Sequence, residues 1–391
     1  MILTHCPACA APLPAMAAKQ CGRCKTRYCG PACQKQHWDQ GHDKLCKQIK
    51  KGGGAEQYHA DQKYKETVVA AVEECAEDTK GQTCYICTQT VHRRTKEGLV
   101  RMCACRGTAG FVHVSCLVEQ AKVLNDEAEE NNLRGPNHLY RWERWHTCGL
   151  CEQKHHGIVY CALGWACWKT YLGRPEDDRC RRCAMTVLGN GLLFTKRAKD
   201  ALRVFLSLKS LYQRRGAPTE AILTVNVNMA NCYWALGCLD EALQLRRQDY
   251  EIRLKVLGAA HADALGSAQS LAHSLVEKGD CAEARTFLTK QIPIARRVLG
   301  PNAQTTLTLC TLKAQALCSG EVSVANAVDA IAICEDTSQR AQQILGATHP
   351  TTKAFQEDLR LSRECLAKVR ATPEGRANFE IVYKRPCQPT H

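Results

Sequence analysis

Cysteine and histidine pairs at short, regular spacing dominate the first 151 residues of the chain. Cys-x2-Cys pairs recur, and a turn of this kind lets two sulfur atoms face one tetrahedral metal ion. A chain of 391 residues with 27 cysteines and no secretory leader is expected to use such pairs for zinc rather than for disulfides. Sixteen positions qualify as ligands, enough for four closed structural zinc sites: Cys6, Cys9, Cys21, Cys24, Cys29, Cys33, His42, Cys46, Cys84, Cys87, Cys103, Cys105, His113, Cys116, Cys148 and Cys151.

The first eight candidates form one module with the spacing Cys-x2-Cys, Cys-x2-Cys, Cys-x3-Cys, His-x3-Cys. Residues four apart lie on one face of a helix, so Cys29 and Cys33 can reach the same ion. The same holds for His42 and Cys46. His37 is the competing nitrogen ligand, but we prefer His42 for its spacing and expect His37 to be a packing or surface residue. Spacing alone leaves open whether the pairs join in sequence or interleave.

The segment Tyr28–Cys46 resembles the MYND finger, because the ligand spacing and a Gln-x-x-His-Trp insert occur together. The resemblance implies interleaved ligands, with one ion held by Cys6, Cys9, Cys29 and Cys33 and the other by Cys21, Cys24, His42 and Cys46. MYND fingers bind short Pro-containing peptides. Gln34 and Trp38 match positions that line the peptide groove in that family, and we expect them to bind a partner.

The other eight candidates form a second module in the order Cys-x2-Cys, Cys-x-Cys, His-x2-Cys, Cys-x2-Cys. The stretch Cys103–Leu117 resembles the RING-CH finger of membrane-associated ubiquitin ligases, in which Cys-x-Cys is followed, after seven residues, by His. The resemblance implies one ion held by Cys84, Cys87, His113 and Cys116, and another held by Cys103, Cys105, Cys148 and Cys151.

Two functions of the second module stay open on the sequence. RING-type ligases dock a ubiquitin-conjugating enzyme, and Ile86 matches the apolar docking residue of the family. However, Gln120 stands where the family has a tryptophan, and Glu152 stands where a basic residue is usual. We expect a protein-interaction adapter that combines a peptide-binding MYND finger, a RING-CH-like module and helical repeats. The alternative is a soluble RING-CH-type ubiquitin ligase whose repeats select the substrate, again with no covalent catalytic residue.

A repeat of 42 residues runs through the second half of the chain. The residues that recur include Ala230, Gly237 and Gly258, which return as Ala272, Gly279 and Gly300. Small residues suit the positions where two helices approach closely, and a Leu-Gly pair ends the second helix with Gly as its C-cap. Residues 196–370 resemble the tetratricopeptide repeat in the form found in kinesin light chains. The resemblance implies a superhelix with a concave peptide-binding face.

Composition and the three resemblances together divide the chain into six segments. We predict a MYND-type zinc finger at 1–50, a linker and short helix at 51–80, a RING-CH-type zinc finger at 81–156, a helical connector at 157–195, tetratricopeptide-like repeats at 196–371 and a tail at 372–391. Gly52-Gly53-Gly54 is typical of a flexible link. The predicted fold is mostly α: two small cross-braced zinc-binding modules followed by an α-helical tetratricopeptide-like solenoid.

The formal net charge of +14 falls to about +8 once fourteen cysteines bind as thiolates and four zinc ions are added. Basic residues occur as scattered pairs, so we expect proteins or Pro-containing peptides as partners, and a ubiquitin-conjugating enzyme under the alternative, rather than nucleic acid. No apolar run is long enough to span a membrane, and we expect an intracellular location in the cytoplasm or nucleus. A further metal site, or packing in a buried helix, would account for Cys161, Cys167, Cys180 and Cys183.

Overall fold

The computed structural model describes residues 5–11, 13, 18–347, 349–372 and 376–379. The chain forms two compact units, residues 1–232 and 233–391. The first contains both Cys-rich segments, and the second contains most of the repeat. Within the described ranges, no helix is both long enough and apolar enough to cross a bilayer. Most of the predicted tail lies outside the described residues.

The first unit is built from helices around two Cys-rich segments with little regular structure. Its elements, in order, are β1 (Lys19–Gln20), β2 (Arg27–Tyr28), α1 (Pro31–His37), a π-helical turn (Trp38–His42), α2 (Asp43–Lys51), α3 (Ala55–Glu74), α4 (Val114–Glu130), α5 (Pro136–Trp142), a 3-10 turn (Glu143–Trp145), α6 (Gly157–Tyr171), α7 (Arg179–Phe194), α8 (Ala198–Arg214) and α9 (Thr219–Ala235), the last of which crosses the unit boundary. The two strands pair antiparallel, with Lys19 opposite Tyr28.

The second unit continues the helical pattern. It contains α10 (Leu239–Leu257), α11 (Ala262–Lys278), α12 (Cys281–Val298), α13 (Gln304–Leu317), β3 (Gly320–Ser323), α14 (Val324–Leu345), α15 (Pro350–Arg370) and β4 (Arg376–Phe379). β4 pairs antiparallel with β3, so part of the predicted tail is a strand.

Successive helix pairs account for the 42-residue repeat. The recurring alanines are fully buried, as expected where helices approach closely: Ala230, Ala272 and Ala314. Gly258 and Gly300 follow the ends of α10 and α12 with φ values of 81° and 90°, a backbone conformation that favours glycine. His261 caps α11, because its side chain accepts a hydrogen bond from the N–H of Asp263. The mostly helical fold predicted from the sequence is confirmed.

A hydrogen-bonded turn and a long helix, rather than a flexible link, join the two Cys-rich segments. The N–H of Gly54 donates to the Ile49 carbonyl at 3.0 Å, and the N–H of Ala55 donates to the Cys24 carbonyl at 2.9 Å. From there α3 runs for 20 residues, about 30 Å at 1.5 Å per residue. Its first residue lies in the buried cluster of the first module, and Val68 near its end lies in the core of the second. One continuous helix therefore connects the modules.

Candidate metal centres and the surfaces beside them

Each of the four Cys-x2-Cys pairs lies on its own backbone turn, and the four turns are of the same kind. The residue four positions after the first cysteine donates its N–H to that cysteine's carbonyl, at distances from 2.8 to 3.1 Å. These residues have a left-handed backbone with φ from 55° to 64°: Ala10, Lys25, Thr88 and Glu152. The turn directs both sulfur atoms to one side, which is what a tetrahedral metal site requires.

The first group in the first module contains Cys6, Cys9, Cys29 and Cys33. The Sγ atom of Cys29 lies 3.5 Å from that of Cys9 and 3.4 Å from that of Cys33. A disulfide would need about 2.05 Å, whereas sulfur ligands at about 2.3 Å from a tetrahedral zinc ion stand about 3.8 Å apart. The contacts therefore fit four thiolates around one ion.

The second group in the first module contains Cys21, Cys24, His42 and Cys46, all buried. Nε2 of His42 lies 3.3 Å from the Sγ atom of Cys24, and the Sγ atoms of Cys21 and Cys46 are 3.8 Å apart. His37, the competing candidate, stays outside the group. Its ring stacks on that of His42 with 4.8 Å between centroids, so its role here is packing.

The third group, in the second module, contains Cys84, Cys87, His113 and Cys116. Nδ1 of His113 lies 3.3 Å from the Sγ atom of Cys87, and its Nε2 lies 3.4 Å from the carbonyl oxygen of Thr90. His113 therefore turns Nδ1 toward the ion position and Nε2–H toward the backbone, which selects one tautomer. The N–H of Ile86 donates to the Sγ atom of Cys84 at 3.4 Å and stabilises its thiolate.

The fourth group contains Cys103, Cys105, Cys148 and Cys151. The Sγ atoms of Cys105 and Cys148 are 3.7 Å apart. Gly110 closes over this group, because a Cβ atom added to it would lie 2.6 Å from the Cβ atom of Cys105, and its φ is +88°. Gly110 was not among the predicted site residues. The sequence feature that could have identified it is a glycine between the Cys-x-Cys pair and the ligand His113.

Hydrogen bonds from backbone N–H groups or from a neighbouring thiol shift some of the ligands toward the thiolate form that zinc binds. Burial opposes ionisation of Cys6, but backbone N–H groups, that of Cys29 first, outweigh it and lower the pKa of Cys6 to about 6. For Cys148, a hydrogen bond from the thiol of Cys103 is the main cause; with the N–H of Cys151, it lowers the pKa of Cys148 to about 4 against the effect of burial. The same contact raises the pKa of Cys103, so Cys148 is the member of this pair that is shifted toward the thiolate.

Both modules interleave their ligand pairs, the first with the third and the second with the fourth. This is the arrangement that the two resemblances imply, and spacing alone had left it open. In each group the four ligand atoms, sulfur or nitrogen throughout, lie within 4.8 Å of one another. Zinc prefers such ligands in closed tetrahedral sites, so zinc fits all four groups, with four protein ligands apiece.

The candidates for a further metal site do not come together. In the described part of the chain, Cys161, Cys167, Cys180 and Cys183 form no ligand group. Cys161 and Cys167 are buried in α6. Cys180 donates its thiol hydrogen to the carboxylate of Glu129 at 3.2 Å. Packing therefore accounts for Cys161 and Cys167, and the hydrogen bond to Glu129 accounts for Cys180.

Trp38 and Gln34 lie beside the first module's ligand groups. Trp38 is 42% exposed, and its ring centroid stands 5.9 Å from that of His42 in an edge-to-face contact. Gln34 is half-buried in α1. Because the His42 ring belongs to a buried group, one side of the indole is supported while the other faces solvent. That geometry suits a binding surface, and the partner-binding role of both residues stays a prediction.

Ile86 lies in a surface groove of about 650 Å³ between its own loop and α4. Ile86 is 39% exposed. Gln120 also lines the groove, at the position where RING-CH fingers have a tryptophan. Trp142 and Trp145 are not among the residues that line the groove; both are buried and pack against Tyr171.

Three family models match separate parts of the sequence. The MYND finger matches residues 5–46, the RING-variant domain matches residues 84–131, and the tetratricopeptide repeat matches residues 221–297. These matches confirm the three kinds of domain predicted from the sequence. The RING-variant match ends before Cys148 and Cys151, which the structure nevertheless brings to the fourth ligand group. None of the curated proteins matches this sequence.

Several solved helical-repeat structures are similar over much of the chain. The putative kinesin light chain TPR-like repeats of Podosopora anserina are 18% identical, with 66% of this chain and 99% of that chain covered and a TM-score of 0.36. BtubC (BKLC) from P. vanneervenii is 12% identical, with coverage of 70% and 96% and a TM-score of 0.34. With TM-scores this low, the repeat fold rests on the family-model match and on the chain's own helix pairs.

Proposed function

We propose that this protein is a zinc-binding protein-interaction adapter, in which the ions shape binding surfaces and take no part in chemistry. The geometry of the four ligand groups carries the proposal, because each supplies four protein ligand atoms within 4.8 Å. Catalytic zinc sites keep one position open for water or substrate, whereas structural sites are closed. Because the ions have no free coordination position, any activity of the protein resides in the surfaces that the ligand groups hold in place.

The proposed partners are proteins or Pro-containing peptides. The MYND finger offers the exposed ring of Trp38, the RING-variant domain offers the groove beside Ile86, and the repeats offer further helix surface. Binding through one site makes binding through the next intramolecular, which raises overall affinity without new contacts. These surfaces fit an adapter that binds its partners through several sites, each of moderate affinity.

Replacing Trp38 with alanine is expected to weaken binding of a Pro-containing peptide about thirtyfold or more. Truncating a tryptophan at the centre of an interface commonly costs about 2 kcal/mol or more. The measurement is fluorescence anisotropy with a labelled peptide chosen from a Pro-containing peptide array. Leu45→Ala is the matched control, because Leu45 is similarly exposed, at 46%, in the same module. Equal binding by native protein and Trp38→Ala would refute a peptide site at Trp38.

A second candidate function is ubiquitin ligation by the RING-variant domain. The position of Ile86 favours it, because this exposed side chain lies in a groove beside a zinc-binding turn and α4. Such a ligase would dock a ubiquitin-conjugating enzyme there and leave the covalent chemistry to that enzyme. Gln120 in the groove and Glu152 after the last ligand are the departures from the family pattern.

If the protein is a ligase, Ile86→Ala should abolish most autoubiquitination while Val91→Ala should not. Both side chains are exposed, at 39% and 50%, but only Ile86 lines the groove. The assay combines the purified protein with ubiquitin, its activating enzyme and a panel of conjugating enzymes. His113→Ala, which removes a ligand, must also abolish the product. Absence of product across the panel would reject the ligase and leave the adapter.

A further inference from the structure

Residues 92–97 of the second module form a turn with the same backbone conformation as the four Cys-x2-Cys turns of the two modules, but without their cysteines. In residues 92–97, the N–H of Lys96 donates to the His92 carbonyl at 2.9 Å, and the N–H of His92 donates to the Glu97 carbonyl at 3.0 Å. Lys96 has a φ of 61°, inside the range of the metal-binding turns. His92 and Thr95 take the positions that cysteines occupy elsewhere.

Side-chain hydrogen bonds hold this turn in place of a metal ion. Nδ1 of His92 lies 2.8 Å from the hydroxyl of Thr95 and accepts its N–H at 3.2 Å. The Glu97 carboxylate accepts hydrogen bonds from the N–H and the hydroxyl of Ser115, at 2.6 and 2.9 Å, in the first turn of α4. The turn is thus anchored both to its own backbone and to α4.

Arg93 and Arg94 extend from this turn and line the groove beside Ile86. Both arginines are exposed. Neither forms an ion pair or a hydrogen bond with another residue in the part of the chain that the structure describes. Glu119, the acidic lining residue, lies 3.9 Å from Lys122 of its own helix. The lining of the groove therefore leaves two positive charges without a counter-charge.

Apolar side chains lie beside these charges. Val123 and Leu124 of α4 line the groove together with Ile86, and Val123 is 46% exposed. Exposed apolar side chains next to unpaired cations fit a ligand with the complementary arrangement, in which a bulky apolar side chain is flanked by negative charge.

We propose that this groove binds an acidic peptide segment of a protein partner, with an apolar side chain against Ile86 and Val123 and carboxylates paired with Arg93 and Arg94. The inference rests on the proposed adapter function and adds a second peptide site, separate from Trp38. Guanidinium groups suit carboxylates because they can donate two parallel hydrogen bonds. Nucleic acid fits less well, since it is bound by longer rows of cations, and this groove offers only two.

The test uses the full-length zinc-loaded protein and synthetic peptides in which a central Leu or Phe is flanked by increasing numbers of Asp. Affinity is expected to rise with each added Asp and to fall with added salt. The double substitution Arg93→Glu with Arg94→Glu is expected to weaken binding of the most acidic peptide about tenfold. Ile86→Ala should weaken it as well.

Lys50→Glu with Lys51→Glu is the matched control, since it makes the same charge change at the end of α2 in the first module. This control should bind the acidic peptides as the native protein does. Unchanged affinity in the arginine variant, equal binding of Lys-flanked peptides, or competition by a single-stranded oligonucleotide would each overturn the inference. Trp38→Ala should keep acidic-peptide binding, which separates failure here from failure of the Pro-peptide site.

Discussion

Replacing Cys24 with serine is expected to release at least one zinc ion and to unfold the first module. Cys24 is fully buried, and the cluster around it contains few residues besides the ligands, mainly Tyr28, Ile49 and Ala55. A core this small leaves folding to the metal, and a structural zinc ion contributes on the order of 10 kcal/mol. The Cys24 carbonyl also accepts the N–H of Ala55, so the first turn of α3 should loosen too.

Zinc content and amide NMR spectra would measure this effect. We expect the Cys24→Ser protein to retain at most three ions and to lose dispersed signals from the first module. Cys75→Ser is the control, because Cys75 is also buried but belongs to none of the ligand groups. It should keep four ions. A Cys24→Ser protein with four ions and native first-module signals would show that this ligand set is wrong.

Replacing Gly110 with alanine is expected to remove the ion of the fourth ligand group, although Gly110 is not a ligand. The new Cβ atom would lie 2.6 Å from the Cβ atom of Cys105 and 3.4 Å from the Sγ atom of Cys103, so one ligand turn must shift. Its φ of +88° adds strain for any residue with a Cβ atom, about 1–2 kcal/mol. Zinc content should fall to about three ions per chain.

Gly107→Ala separates the two causes. Gly107 also has a positive φ, +61°, but nothing lies within 4 Å of an added Cβ atom. Alanine there should bring backbone strain alone, with a small loss of stability and four ions retained. Because the second module shares an apolar core with α3 and α6, it should stay largely folded in both variants. Equal zinc content in the two proteins would mean that the close contact at Gly110 has no effect on the metal site.

The ligand groups could be predicted because the chemistry of each pair is local. A Cys-x2-Cys turn directs its two sulfurs to one side whatever surrounds it, and the four turns of this kind share one backbone geometry. The choice of His42 over His37 followed from helical spacing alone. Interleaving is a long-range property, however, and was inferred only because the whole motif resembled known fingers.

Features that depend on distant partners were not predictable from local sequence. Gly52-Gly53-Gly54 has the composition of a flexible link, yet the N–H of Ala55, the next residue, donates to the carbonyl of Cys24, which lies much earlier in the chain. That acceptor is in place only after the first module folds. The turn at residues 92–97 has no cysteine to mark it, and the hydrogen bond that its Glu97 carboxylate accepts from the N–H of Ser115 links it to another element. The preference of individual residues for helix, strand or turn does not reveal such contacts between distant parts of the chain.

Combined elemental analysis and zinc X-ray absorption spectroscopy of the purified protein tests the central claim most directly. Closed structural sites predict four zinc ions per chain, with fourteen sulfur and two nitrogen ligands in total, so each ion has on average about 3.5 sulfur and about 0.5 nitrogen ligands. Sulfur should dominate the first shell at about 2.3 Å, with no oxygen from water. Two ions per chain, or a clear oxygen shell, would contradict closed ligand groups and with them the proposal that the zinc ions only shape binding surfaces.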